Sequence, residues 1–202
     1  MNKRRLFGLD RSGPPPVATL SDRPWRPWTI PNAIGYARLA AIPAFLIVAL
    51  SSRHGRDALA VVLFAVIGWS DYLDGFVARL TGQFSRLGAL LDPVVDRLLV
   101  ISGMVVCWRF ELLPRWAIAV VVARELFVLG LSRYGLSRGI ELRINWPGRL
   151  AVAPTMGAPF FAMAGVRWLA LALLYVGIAL ALLATLGYVR DGLSQLRAKA
   201  SS

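Results

Sequence analysis

The chain has 202 residues, of which 57% are hydrophobic and 17% are charged, and its formal net charge is +12. An ordinary soluble domain has about 25% charged residues, so this composition excludes a soluble nucleic-acid-binding protein, in which basic residues would cover a polar surface. A disordered chain and a disulfide-stapled fold are also excluded, since the one cysteine is Cys107. Because the one histidine is His54, any metal site must be built from carboxylates.

The chain divides into three parts by composition. Residues 1–24 are polar, basic and rich in proline, which predicts a flexible arm that contacts anionic membrane lipids rather than nucleic acid. We expect no secretory signal peptide, because no short apolar segment with a cleavage site stands near the start. Residues 25–190 predict one membrane domain, and residues 191–202 predict a polar tail.

Six apolar stretches predict an all-α fold, an integral membrane bundle of six transmembrane helices. Each stretch is close to the ~20 residues that cross a bilayer core as a helix. With a cytoplasmic N-terminus, 14 Lys and Arg residues lie inside and five lie outside. The positive-inside rule therefore predicts a bacterial cytoplasmic membrane protein with both termini in the cytoplasm. The stretches are 30–51, 58–79, 86–108, 116–137, 149–166 and 167–189, the fifth with a bend expected at its prolines.

Four aspartates stand in a window that otherwise looks transmembrane: Asp71, Asp74, Asp92 and Asp96. Each ionised group near the bilayer centre costs several kcal/mol unless it faces water, a metal or a partner. Spacings of i, i+3 and i, i+4 place each pair on one helix face, and a tight loop makes the two helices antiparallel. The aspartates then form two levels, about 8 and about 13 Å deep. We expect the four carboxylates to converge on one pocket that opens to the cytoplasm.

This cluster predicts metal-dependent diphosphate chemistry. Four carboxylates so close cannot all stay ionised without cations, and hard oxygen ligands suit one or two divalent ions, Mg²⁺ or Mn²⁺. Such a site binds a diphosphate and its leaving group, while a spare carboxylate acts as general base. Gly75, Ala78 and Gly88 allow these two helices to approach closely or a flat ligand to lie against them, and Arg79 can hold a phosphate bidentately.

The same residues match a family signature. The segment from Asp71 to Arg79, followed by Gly88, Asp92 and Asp96, fits D-x2-D-G-x2-A-R-x8-G-x3-D-x3-D at all eight fixed positions. The chain therefore resembles the CDP-alcohol phosphotransferases over residues 28–190. The resemblance implies a phospholipid-biosynthesis enzyme that moves a phosphatidyl group from CDP-diacylglycerol to an alcohol and releases CMP. It also implies a homodimer.

The resemblance implies a role for each residue of the signature. Asp71, Asp74 and Asp92 would hold two metal ions, Mg²⁺ or Mn²⁺. Asp96 would complete the cluster and serve as the base for the acceptor hydroxyl. The residues assigned to the CDP pocket are Gly75, Ala78, Arg79 and Gly88.

The predicted acceptor is glycerol 3-phosphate, as in phosphatidylglycerophosphate synthases. The segment from Thr29 to Arg38 and the Arg124-Glu125 pair are similar to those enzymes. Those enzymes usually have the motif Gly-Lys-x-Lys-Thr in the segment that begins at Gly148 here. In this chain the second lysine of that motif is replaced by Ala151. Phosphatidylglycerol is the alternative acceptor, because residues 85–97 are similar to actinobacterial cardiolipin synthases. The residues expected to bind the acceptor's phosphate are Arg133, Arg143 and Arg149.

Other interpretations remain open. A divalent-cation transporter also carries carboxylates in the membrane, but its conduction path would need polar residues in the outer halves of the second and third helices, which are apolar. An intramembrane prenyltransferase usually has two separated Asp motifs. A scaffold with buried Asp–Arg pairs would need arginines at matching depth on facing helices. Arg97 is equally well explained by a salt bridge, and Arg124 by neutralisation of Glu125.

Overall fold

The protein, described by a computed structural model over residues 27–81, 85–137 and 146–200, is helical, with six helices and no strand in those ranges. The all-helical prediction is confirmed, and most helix ends agree with the predicted stretches to within three residues. The exception is the last helix, which continues past residue 189. The helices are α1 (Ile30–Ser51), α2 (Ala58–Thr81), α3 (Arg86–Arg109), α4 (Arg115–Ser137), α5 (Trp146–Met163) and α6 (Arg167–Ala200).

Polar side chains fix where the first three helices begin. The first N–H groups of a helix have no intrahelical acceptor, so an oxygen just before the helix stabilises it. Thr29 accepts a hydrogen bond at 3.3 Å and Ser85 accepts one at 2.9 Å, each from the backbone N–H three residues further on. Asp57 accepts two bonds at the start of α2. These caps set the register of α1, α2 and α3, which carry the candidate site.

Three helical segments of the described residues are long and apolar enough to cross a membrane: Ile30–Ser51, Ala58–Ala78 and Arg167–Gly187. The chain is therefore an integral membrane protein. A shorter apolar stretch, Leu150–Met163, lies in α5, which stays one helix through both of its prolines. Helices α3 and α4 carry charged groups among their apolar residues, which lowers their hydropathy.

Helix α3 lies at the centre of the bundle, where it contacts α1, α2, α4 and α5. Helix α6 packs along α5 and also against α4, while α1 and α2 pack on each other. Rings from α1 and α2 meet in the core, with the centroids of Phe45 and Phe64 5.3 Å apart. Because α3 has neighbours on several sides, successive side chains along it face different partners, which matters for the two ionic groups described below.

We predict that Gly103→Ala destabilises this core while Gly130→Ala does not. A Cβ at Gly103 would lie 2.8 Å from the Phe64 ring and 2.9 Å from Pro159, whereas no atom of the described residues lies within 4 Å of a Cβ at Gly130. Overpacking a tight core costs about 1–3 kcal/mol, and alanine gains roughly 0.5–1 kcal/mol over glycine in a helix. Thermal unfolding of both variants in detergent checks this; equal midpoints would contradict the packing of α2, α3 and α5.

Candidate active site

An arginine from α1 joins the three helices that carry the predicted site. Arg38 is buried, with 2% of its surface exposed. Its Nη1 donates to Oδ1 of Asp71 at 3.0 Å, its Nη2 to Oδ1 of Asp96 at 2.7 Å, and its Nε to the carbonyl oxygen of Ile67 at 3.1 Å. One guanidinium therefore links α1 to α2 and to α3.

This geometry brings two of the four predicted carboxylates to one cation. Asp71 and Asp96 are the two aspartates that helix geometry places at the deeper level, about 13 Å in, and both bind Arg38. The side chains of these aspartates remain 43% and 29% exposed, so both can be reached from outside the bundle. The Asp–Arg pairing named among the alternatives is therefore present, and it involves the residues predicted to do the chemistry.

Arg38 is a site residue that the sequence analysis missed. Arg38 stands inside the first apolar stretch and in the segment similar to glycerophosphate enzymes, but neither feature alone gives it a role. A usable signal was present: Arg38 is eight residues into α1, which places it about 12 Å along the helix, close to the depth calculated for Asp71 and Asp96. A buried arginine level with buried acids is expected to pair with them.

The structure describes only part of the rest of the predicted site. Asp92 is partly buried on α3, four residues before Asp96, while Gly75 and Ala78 are partly buried on α2. Among the described side chains, no three acid, imidazole or thiol groups are placed to hold one metal ion. The four-carboxylate metal site and the CDP pocket therefore stay predictions. Outside the described part lie Arg143 and the side chains of Asp74, Arg79, Arg133 and Arg149.

Gly88 allows α1 and α3 to approach closely. A Cβ at Gly88 would lie 2.6 Å from Oδ1 of Asn32. That amide is held in place, since Ser85 donates to its Oδ1 at 2.9 Å and its Nδ2 donates to the carbonyl oxygen of Pro27 at 3.0 Å. Gly88 is predicted to help the two aspartate-bearing helices, α2 and α3, approach each other, whereas the structure places it against Asn32 of α1. A role of Gly88 in the CDP pocket stays a prediction.

A second ionic group, the Glu125 cluster, consists of Arg97 on α3, Arg124 and Glu125 on α4, and Thr185 on α6. Oε2 of Glu125 lies 3.4 Å from Nε of Arg97, and Oε1 accepts a hydrogen bond from Nη1 of Arg124. Nε of Arg124 donates to Oγ1 of Thr185 at 3.3 Å. The salt-bridge interpretation of Arg97 and the pairing of Arg124 with Glu125 are both confirmed.

The chain is similar to proteins that are named as enzymes of phospholipid synthesis. It is 40% identical over 152 residues to the CMP-forming cardiolipin synthase of Streptomyces coelicolor, covering 70% of this chain and 69% of that protein. It is 39% identical over 124 residues to a Mycobacterium tuberculosis protein provisionally named cardiolipin synthase, covering 61% and 58% respectively. It therefore spans under two thirds of the latter's length.

A third relative carries a different name, and a family model covers most of the chain. The Bacillus subtilis CDP-diacylglycerol–glycerol-3-phosphate 3-phosphatidyltransferase is 30% identical over 135 residues, which cover 61% of this chain and 70% of that protein. The model of the CDP-alcohol phosphatidyltransferases matches residues 28–185, a range that contains Arg38, both aspartates that bind it and the whole Glu125 cluster. The chain belongs to the CDP-alcohol phosphatidyltransferase family.

Proposed function

We propose that this protein transfers the phosphatidyl group of CDP-diacylglycerol to the hydroxyl group of an alcohol and releases CMP. The observation that carries the proposal is the pair of carboxylates, Asp71 and Asp96, fixed on neighbouring helices by one buried guanidinium. Family membership supports an enzyme rather than the cation transporter considered above.

The donor set suits a hard divalent cation. Asp71 and Asp96 offer carboxylate oxygens on two different helices, and both side chains are partly exposed. Oxygen ligands of this kind are those that Mg²⁺ and Mn²⁺ prefer. We propose that these residues, with Asp74 and Asp92, hold the one or two ions of the enzyme. Bound there, such an ion supplies positive charge that offsets the charge of the diphosphate and of the departing CMP.

Asp96 is proposed as the general base. Its carboxylate takes the proton of the acceptor hydroxyl as the hydroxyl oxygen forms a bond to the phosphorus that carries diacylglycerol. The bond from that phosphorus to the bridging oxygen breaks, and its electron pair leaves with CMP. Arg38 binds the carboxylates of both Asp96 and Asp71, so the base stays oriented before the acceptor arrives. Gly75, Ala78, Arg79 and Gly88 are proposed to line the CDP pocket.

We propose that all six helices cross the bacterial cytoplasmic membrane, with both termini and the active site on the cytoplasmic side. The ionised groups of α3 and α4 support this, because Arg97 and Glu125 pair with each other and Asp96 pairs with Arg38; charged residues in spans are tolerated when paired inside the bundle. The distribution of basic residues at the helix ends supports the orientation. A homodimer is proposed from the family resemblance.

Phosphatidylglycerol is proposed as the preferred acceptor. The two cardiolipin synthase relatives are 40% and 39% identical to the chain, against 30% for the glycerol-3-phosphate enzyme. Ala151, which stands at the position of the second lysine in glycerophosphate enzymes, is 3% exposed, so a buried methyl group replaces a cation. Glycerol 3-phosphate is a phosphate monoester with up to two negative charges, and phosphatidylglycerol is a phosphodiester with one. The loss of a cation at this position therefore weakens binding of glycerol 3-phosphate more.

Glycerol 3-phosphate is the second candidate, favoured by the Bacillus subtilis relative and by the three arginines that the sequence predicts to bind its phosphate, Arg133, Arg143 and Arg149. We predict that purified protein with CDP-diacylglycerol and Mg²⁺ releases CMP at least about tenfold faster with phosphatidylglycerol than with glycerol 3-phosphate, a difference of roughly 1.4 kcal/mol in transition-state binding. The reverse order would assign the glycerophosphate reaction. If phosphatidylglycerol, glycerol 3-phosphate and the other alcohols run in parallel all fail to support CMP release, the enzyme proposal is refuted.

A further inference from the structure

The Glu125 cluster carries one more positive charge than negative charge. Arg97 and Arg124 share the single carboxylate of Glu125, which is 8% exposed near the middle of α4. In a low-dielectric bundle, an uncompensated guanidinium is costly, and an anion or water is expected to balance it. The cluster is therefore incomplete in charge unless a further anion joins it.

Arg97 is the member with unused donors. A guanidinium has five N–H donors. Within the described part of the chain, the contact of Arg97 is the 3.4 Å ion pair with Glu125, and its buried Nε has no hydrogen-bond partner there. Arg124, by contrast, donates to both Glu125 and Thr185. Since 23% of the Arg97 side chain is exposed, a ligand can reach it.

Arg97 lies beside the acidic site but faces another helix. Successive residues of a helix point about 100° apart and rise about 1.5 Å, so Arg97 is level with Asp96. Asp96 binds Arg38 of α1, whereas Arg97 pairs with Glu125 of α4. A ligand atom held by Arg97 would thus lie at the depth of the proposed base, on the α4 side of α3.

We infer that Arg97, positioned by Glu125 and Arg124, binds a phosphate group of a substrate in the proposed reaction. A phosphodiester carries one negative charge, which brings the net charge of the cluster to zero, and the planar guanidinium fork suits two phosphate oxygens. This inference rests on the proposed function. Two substrates carry the required chemistry: the acceptor, through its phosphate, and CDP-diacylglycerol, through its diphosphate. The acceptor is the expected source, because the carboxylates on the other side of α3 are proposed to serve the diphosphate through metal.

The kinetic test compares Arg97→Gln, Arg97→Lys and the control Arg109→Gln. Arg109 is on the same helix, about 18 Å away, and is exposed with its guanidinium over the Phe110 ring. Loss of a hydrogen bond between charged groups lowers binding affinity roughly tenfold to a hundredfold. We expect Arg97→Gln to raise the acceptor KM by that factor, Arg97→Lys to raise it less, and Arg109→Gln to leave it unchanged. A rise in the CDP-diacylglycerol KM instead would assign the diphosphate as the ligand.

Thermal stability separates ligand binding from a structural role. Without Arg97, Arg124 and Glu125 form a neutral ion pair. The unfolding midpoint of Arg97→Gln is therefore expected to stay the same or rise. A lower midpoint with both KM values unchanged would mean that Arg97 only stabilises the bundle and would overturn the inference. If Arg97→Gln fails to fold, the argument that the cluster has an excess positive charge is overturned. Phosphate binding is then decided by Arg97→Lys, which keeps the charge but loses the planar fork.

A binding measurement is independent of turnover. Calorimetric titration in detergent with dioctanoyl phosphatidylglycerol, CDP-dioctanoylglycerol and uncharged dioctanoylglycerol gives the affinity of each for the wild type and for Arg97→Gln. The inference requires weaker binding of at least one phosphate-bearing lipid and equal binding of the uncharged one. If that pattern is found but no acceptor supports CMP release, the proposed function fails while the phosphate site stands. Equal affinities of both proteins for all three lipids would overturn the site itself.

Discussion

Asp96→Asn is expected to lower kcat for CMP release by roughly 10²–10⁴-fold, the usual contribution of a general base, while CDP binding is largely kept. Asparagine has nearly the shape of aspartate, and its Oδ1 can still accept the 2.7 Å hydrogen bond that Arg38 donates. What it loses is the ability to take a proton. The effect should therefore fall on turnover rather than on the fold or on the nucleotide site.

Three measurements make this prediction specific: CMP release, CDP binding by calorimetry and thermal unfolding. Glu111→Gln is a matched control, because it makes the same chemical change at an exposed ion pair with Arg115, in the connection between α3 and α4. It should keep the wild-type rate. If Asp96→Asn abolishes CDP binding together with turnover, Asp96 acts first as a metal or structural ligand, and the assignment of the base moves to another aspartate.

The helices could be predicted from the sequence because stretches of about 20 apolar residues between charged loops are a strong local signal. The end of α6 could not, since the predicted stretch ended at residue 189 and the helix continues to Ala200. Hydropathy marks where a chain leaves the lipid, and polar residues such as those after Arg190 can continue a helix beyond that point. The extra turns are a matter of helix propensity, which the hydropathy pattern does not report.

The site was predictable only as far as helix periodicity reaches. The spacing of Asp92 and Asp96 predicts that they share a face of α3. It does not predict which helix packs against that face. That partner is α1, through Arg38, and it is a property of tertiary packing. The same limit explains why the salt bridge between Arg97 and Glu125 could be named only as one option: its two partners lie on different helices.

Replacing Arg38 should have the largest combined effect on stability and activity. Arg38→Gln removes the cation shared by Asp71 and Asp96 and leaves their charges facing each other. Removing one partner of a buried ion pair costs roughly 3–5 kcal/mol, and the partial exposure of both aspartates argues for the lower end of that range. For a chain of this size that corresponds to a fall of roughly 6–12 °C in the unfolding midpoint.

Arg38→Lys separates charge from geometry. The guanidinium makes three hydrogen bonds in three directions, to Ile67, Asp71 and Asp96, whereas one ammonium at the end of a flexible stem cannot reproduce that fixed fork. The lysine variant should therefore recover much of the stability and little of the activity, with a rate still down by about 10²-fold as expected for a misplaced catalytic group. Arg53→Gln, in the exposed loop after α1, is the control and should match the wild type.

A double-variant cycle tests whether charge sharing is the cause. If Arg38 stabilises the bundle by neutralising the two acids, then adding Asp71→Asn to Arg38→Gln removes one of the exposed like charges and should restore about 0.5–3 kcal/mol of the lost stability. Simple addition of the two single effects would mean that Arg38 acts through packing alone. A wild-type rate in Arg38→Lys would show that the orientation of Asp96 does not depend on the planar guanidinium. Arg38 would then neutralise the two carboxylates without orienting the base.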